Sequence, residues 1–246
     1  MRSKVVLLSG LFLVLILTAG LVQAETVEFD LKDLEEVARD EKVKLVLDIG
    51  DAELVFAPEK DNIYLSPGLK CKKWGSTIHI FSPEKKKYLG LFGKKDYYLV
   101  IGSKKEYKLL DISAGGLFIT GEIKADEIDL KAGGISIEAD IHSRIIDING
   151  AGIKISGYLR GENLSVNGAG ISLNLNVEGV ENLNINGVGI NSRIKYLDGW
   201  TGIRNLRFNG IGGNLDIYVP VDNNLETEGK LDISTNGLFS TEVHHY

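Results

Sequence analysis

The chain has one cysteine, one methionine and four prolines in 246 residues, and each scarcity removes an option. Cys71 cannot close an internal disulfide, so a fold destined for an oxidising compartment must be held by burial, and Cys71 itself reads as a small buried hydrophobe. Only His79, His142, His244 and His245 supply imidazole, with no HxxxH or HExxH spacing; His244 and His245 read as part of a frayed tail. There is no GxxxxGK[ST], no GxSxG elbow and no GGxGxDxUx calcium repeat. The sequence therefore nominates no catalytic residue, no metal ligand and no cofactor.

What is present begins at the N-terminus. Arg2 and Lys4 precede an apolar run from Val5 to about Thr18, and Val22-Gln23-Ala24 offers a cleavage end before Glu25. This predicts a secretory signal peptide over 1–24, or an uncleaved anchor, and hence an exported protein of the cell envelope or exterior. Residues 1–24 hold Arg2 and Lys4 and no acid, which leaves 26 basic against 34 acidic side chains. That balance opposes nucleic-acid binding.

The main signal is a repeat. Glycine turns recur at Ala114-Gly115-Gly116, Ala132-Gly133-Gly134, Gly150-Ala151-Gly152, Gly168-Ala169-Gly170, Gly187-Val188-Gly189 and Gly210-Ile211-Gly212, with last glycines 18, 18, 18, 19 and 23 residues apart. Between them apolar residues alternate, as in Ile135, Ile137, Ala139 and Ile141, then Ile146 and Ile148. Two phase slips per unit imply two corners. Stepping by six from Leu117 meets Asp129, Asp147 and Ser165, which excludes the left-handed hexapeptide coil.

The expected fold is all-β: a single-stranded right-handed β-helix, or β-solenoid, of about 18-residue rungs over 43–243. Outward positions should be polar. Asn149, Asn167, Asn186 and Asn209 each precede a turn glycine and should stack as an amide ladder. The glycines lead into strands, not helices, so they are not phosphate cradles. Strands are expected at Val43–Ile49, Glu53–Ala57, Asn62–Leu65, Thr77–Phe81 and Tyr97–Ile101 as irregular early rungs. Leu31, Leu34 and Ala38 at helical spacing behind Asp30 predict a short capping helix within an N-terminal cap over 25–42. The unit from 187 to 212, which contains Trp200, should bulge into a loop.

The stretches Leu45-Val46-Leu47-Asp48-Ile49-Gly50-Asp51-Ala52-Glu53-Leu54-Val55 and Leu109-Leu110-Asp111-Ile112-Ser113-Ala114-Gly115-Gly116-Leu117-Phe118-Ile119, with the rungs that follow, resemble the prokaryotic "putative adhesin" family of unknown function over about residues 43–240. The resemblance implies a toast rack of right-handed β-helix coils and brings no catalytic residues. Related domains in envelope-stress sensors imply a sensing or partner-binding role.

Two constellations remain. Residues 70–108 carry eleven lysines against Glu84, Asp96 and Glu106, and within them Lys85, Lys86, Lys87, Tyr88, Leu91, Phe92, Lys94 and Lys95 form a basic rim around an apolar tip. Such a tip suits an anionic surface, whether lipid headgroups or an envelope polymer, or else folds back as a solvated hairpin. Asp129 and Asp147, and likewise Glu122 and Asp140, lie 18 apart and could stack as carboxylate pairs of a polysaccharide-active enzyme. No basic residue is expected beside either pair, so the columns read as a solvated face. The reading is a non-enzymatic, adhesin-like exported scaffold that binds an envelope polymer, an anionic membrane surface or another envelope protein. The alternatives are an envelope-stress sensor or a self-assembling structural element and, behind these, a β-helix enzyme.

Overall fold

The structure is a computed structural model that describes residues 34–39, 42–83, 96–199, 202–220 and 229–246. The described residues contain twelve strands and no helix, joined in one mostly parallel sheet. The segments 1–33 and 84–95 lie outside the described residues, and so do the expected leader and all eight residues of the lysine-flanked tip. Trp200 lies outside them too.

The rungs occupy β8 (Tyr107–Arg160), β9 (Asn163–Glu178), β10 (Asn182–Tyr196), β11 (Gly202–Val219) and β12 (Gly229–His245). Each of β9 to β12 pairs in parallel with the one before, and glycine meets glycine through the stack: Gly150 with Gly168, Gly168 with Gly187, Gly187 with Gly210 and Gly210 with Gly237. Within β8 the chain stacks on itself at the same interval. A Cβ on Gly157 would fall 2.1 Å from the Ala139 carbonyl oxygen, and one on Gly133 would fall 2.9 Å from that of Gly115.

The alternating residues form the core. Ile135, Ile137, Ile146, Ile148, Ile153 and Ile155 are all buried, and their columns continue through Leu164, Val166, Ile171 and Leu173 to Leu206, Phe208, Leu215 and Ile217. Each such side chain contributes roughly 1.5–3 kcal/mol by leaving water. No rung can bury its face without its neighbours, so the repeats are stable only together.

The N-terminal part departs from the rung plan. β2 (Lys44–Asp48) and β3 (Ala52–Ala57) pair in parallel with β8 at Leu109–Ser113 and Leu117–Gly121, so they are the two arms of a true first rung. β6 (Thr77–Phe81) and β7 (Tyr97–Gly102) extend it in parallel. β4 (Ile63–Leu65) instead runs antiparallel to β7, and β5 (Lys70–Trp74), which the sequence did not suggest, runs antiparallel to β6.

The expected capping helix is corrected. Residues Glu35–Val37 form β1, antiparallel to β4, and Leu34 is buried beside Ala57 and Val100 in a small second cluster. Sheet pairing to β4 outweighed a short helical pattern that had no tertiary contact of its own. A second correction concerns the tail: His244 and His245 lie in register with Tyr218 and Val219 as the end of β12.

In the longer unit the chain leaves the strand after Tyr196, at the described residues 197–199. This segment is fixed by Asp198, which accepts from the Gly179 amide at 3.2 Å and pairs with the buried Arg204 at 3.0 Å.

Candidate functional site

Both carboxylate columns stand on outward positions of the rungs, as alternation requires. The column from Asp147 continues as Ser165 and Asn184, and Tyr158 is followed by Asn176 and Lys195. Contrary to the sequence expectation, each column has a cation beside it. Lys131 donates to Asp129 at 2.5 Å, and this hydrogen bond, with the charges of Asp129, Asp111 and Asp147 acting against desolvation, raises the Lys131 pKa. Lys124 reaches Glu122 at 2.7 Å, and the His142 Nε2 lies 3.7 Å from the same carboxylate. Lysine two residues along a strand projects on the same face as the acid, a period-2 signal that was present in the sequence.

Glu122, Glu138 and Asp140 line a shallow groove of about 570 Å³, together with Pro58, Gly121 and Gly157. Glycine at two of these positions lets adjacent rungs approach: a Cβ on Gly121 would sit 1.9 Å from the Phe56 oxygen, and Gly157 has φ +134° with a Cβ 2.1 Å from the Ala139 oxygen. Tyr158, next to the lining residue Gly157, donates its hydroxyl to Glu178 and its amide to Asp140 at 3.4 Å, while its ring lies 5.6 Å from that of His142. Desolvation and the Glu178 hydrogen bond push the Tyr158 hydroxyl up to about 12, so it remains a donor across the physiological range. Glu138 pairs with Lys154 at 3.5 Å. The groove is thus an ion-paired surface that offers hydrogen bonds.

Near the last rung, Asp216, Glu242 and His244 bring one ligand atom each within 4.8 Å of one another. His244 stacks on Tyr218 at 4.6 Å, and Arg193 places its guanidinium 4.9 Å over the same ring. Two carboxylates and an imidazole are a donor set that could hold a divalent cation, at the exposed margin of the stack.

A further feature was missed by the sequence reading, which expected outward positions to be polar. The middle residue of successive glycine turns runs Gly115, Gly133, Ala151, Ala169, Val188, Ile211 and Leu238. Val188 lies in register with Ile211, and Gly210 with Gly237 just before Leu238, so these residues form one corner column. Val188, Ile211 and Leu238 are 55%, 67% and 78% exposed. The corner is an apolar ridge whose side chains grow toward the C-terminal rung. The signal was legible, since this turn position passes from Gly115 and Gly133 through Ala151 and Ala169 to Val188, Ile211 and Leu238.

No family model matches the chain, and no curated protein matches it. Among solved structures, the chain is similar to "a putative adhesin" from Bacteroides fragilis, at 12% identity and a TM-score of 0.48, over 85% of this chain and 95% of that one. A "putative lipid binding protein" from Parabacteroides distasonis matches at 17% identity and a TM-score of 0.42, over 87% and 96%. A "putative adhesin" from Parabacteroides merdae matches at 13% identity and a TM-score of 0.28, over 87% and 95%.

Proposed function

We propose that the chain is an exported, non-enzymatic cell-envelope protein, a right-handed β-solenoid that serves as a rigid adhesin-like scaffold for another envelope protein. The observation that carries this reading is the apolar ridge. Val188 and Ile211 are more than half exposed on a rigid corner where solvation alone would favour polar side chains, and contiguous exposed apolar surface marks contact sites. The N-terminal leader pattern supports export. The continuation of the carboxylate columns as Ser165, Asn184 and Asn176 supports a solvated face over a hydrolytic pair. The lysine-flanked tip at 85–95 supplies a second contact, for anionic lipid or envelope polymer, whose strength falls with salt.

The test is capture of envelope proteins by the immobilised chain, at low and high salt, compared with the double variant Val188→Ser, Ile211→Ser. Binding that survives high salt and is lost in the variant supports the ridge. Equal capture by both forms removes it, and release of glycan fragments from envelope material on incubation overturns the non-enzymatic reading.

A further inference from the structure

The sheet has unequal edges. β1 is three residues long, and β5 carries Lys70, Lys72 and Lys73, which are two usual ways of blunting an edge. β12 is the opposite edge and spans 17 residues, with no described strand on its outer side. The core is open there as well. Ile233 and Val243 stand over Leu206 and Ile217, which are fully buried, yet Ile233 is only partly buried and Val243 is 42% exposed.

We propose that two copies of the chain join through β12, antiparallel, about a two-fold axis at Leu238. β12 is shaped for this. Gly237 pairs with Gly210 and Phe239 with Gly213, so Leu238 alone forms the corner and stands between two arms of similar length. A two-fold through the corner lays each arm on the opposite arm of the second copy, and inward side chains stay inward.

The pairing then sets Ile233 against the second copy's Val243 and Thr235 against its Thr241, two matched contacts over the open core. On the outer face Asp232 meets His244, Ser234 meets Glu242, and Asn236 meets Ser240. Every pair occurs twice by symmetry, and Leu238, the most exposed large apolar residue named above, packs on its own copy. Moving the axis one residue, to Gly237, would oppose Asp232 with Glu242 and Leu238 with Asn236. Like charges in directly opposed positions destabilise a pair, so the sequence selects the axis at Leu238.

The test uses the full chain carrying Cys71→Ser, with Leu238→Cys or, separately, Ile211→Cys. Directly opposed antiparallel residues have Cα atoms about 4.5–5.5 Å apart, inside the roughly 4.4–6.8 Å that a disulfide spans. Position 211 lies one strand further back in each copy, so its two Cα atoms would be about 14 Å apart at a strand spacing near 4.8 Å. The expected result is a dimer by sedimentation that cross-links under mild oxidation through residue 238 and not through 211. A monomer at every concentration, a dimer that fails to cross-link at 238, or equal cross-linking at both positions overturns the proposal. Val188→Ser with Ile211→Ser leaves β12 intact and should not change the dimer, so this proposal and the ridge reading fail separately.

Discussion

Arg204 holds Asp198 at 3.0 Å with its own side chain only 8% exposed, near the start of β11. The guanidinium occupies an inward position, in register with Leu231 of the next rung. Removal of Asp198 takes a carboxylate away from this buried charge. Asp198→Ala is expected to lower unfolding free energy by about 3–5 kcal/mol in urea titration, whereas Asp198→Asn, which retains an acceptor for the Gly179 amide, should cost less.

Two glycines of the stack should respond in opposite ways to alanine. At Gly157 the added Cβ meets the Ala139 oxygen at 2.1 Å and φ is +134°, so Gly157→Ala should destabilise by more than about 1 kcal/mol. At Gly152 nothing lies within 4 Å, and Gly152→Ala should be neutral or stabilise by up to about 1 kcal/mol through the unfolded chain. Thermal melts of the two variants side by side provide the check.

The asparagine ladder is a chain of donors and acceptors. Asn167 donates to Asn149 at 3.0 Å and accepts from Asn186 at 2.7 Å, and Asn209 continues the column by donating to Asn186 at 2.8 Å. Asn167→Ala removes a link from the middle and leaves both neighbours short of a partner, at a cost of about 1–3 kcal/mol. Asn209→Ala, nearer the end of the column and more exposed, should cost less. Denaturant midpoints of both variants would show this order.

Alkali should unfold the protein early. Burial pushes the Tyr107 hydroxyl up to about 12, desolvation and Glu178 take Tyr158 to about 12, and burial raises Tyr196 further still. In the unfolded chain these phenols lose their protons near pH 10. The folded state therefore binds more protons above that pH, and the slope of unfolding free energy with pH is negative. Stability is intact below about pH 10 and falls as pH rises toward 12. Melts by circular dichroism between pH 8 and 12, alongside tyrosinate absorbance, would show the fall; a flat profile would contradict it.

The repeating part of the fold was legible because its signals are local and redundant. Ile135 to Ile155 state the alternation, the glycine turns state the corners, and the asparagines state the ladder, each several times over. The N-terminal part repeats nothing. Leu34 and Ala38 suit a helix by spacing alone, and only the pairing of Glu36 with Tyr64 shows that they belong to a sheet edge. β5 was invisible because Lys70-Cys71-Lys72-Lys73-Trp74 shows its lysines to solvent, and its pairing to His79 and Ile80 rests on the turn at Gly75. Of the candidate site, the carboxylate columns were foreseen in position but not their cations, although Lys124 and Lys131 lie two residues from Glu122 and Asp129. The ridge was written in the sequence, but a search for polar outward positions passed over it.

The stacked glycines at 150, 168, 187, 210 and 237 are separated by 18, 19, 23 and 27 residues, yet the register is constant through the corner from β8 to β11 and shifts only at Gly210–Gly213, between β11 and β12. From β9 to β11 the added length enters outside the paired arms, after Glu178 and after Tyr196. The architecture therefore has an editable seam: sequence can be inserted between rungs without renegotiating the interior. A lineage that carries such a scaffold can change what its flank displays while the interior columns stay fixed, and an engineer could graft a peptide at Gly199 on the same terms.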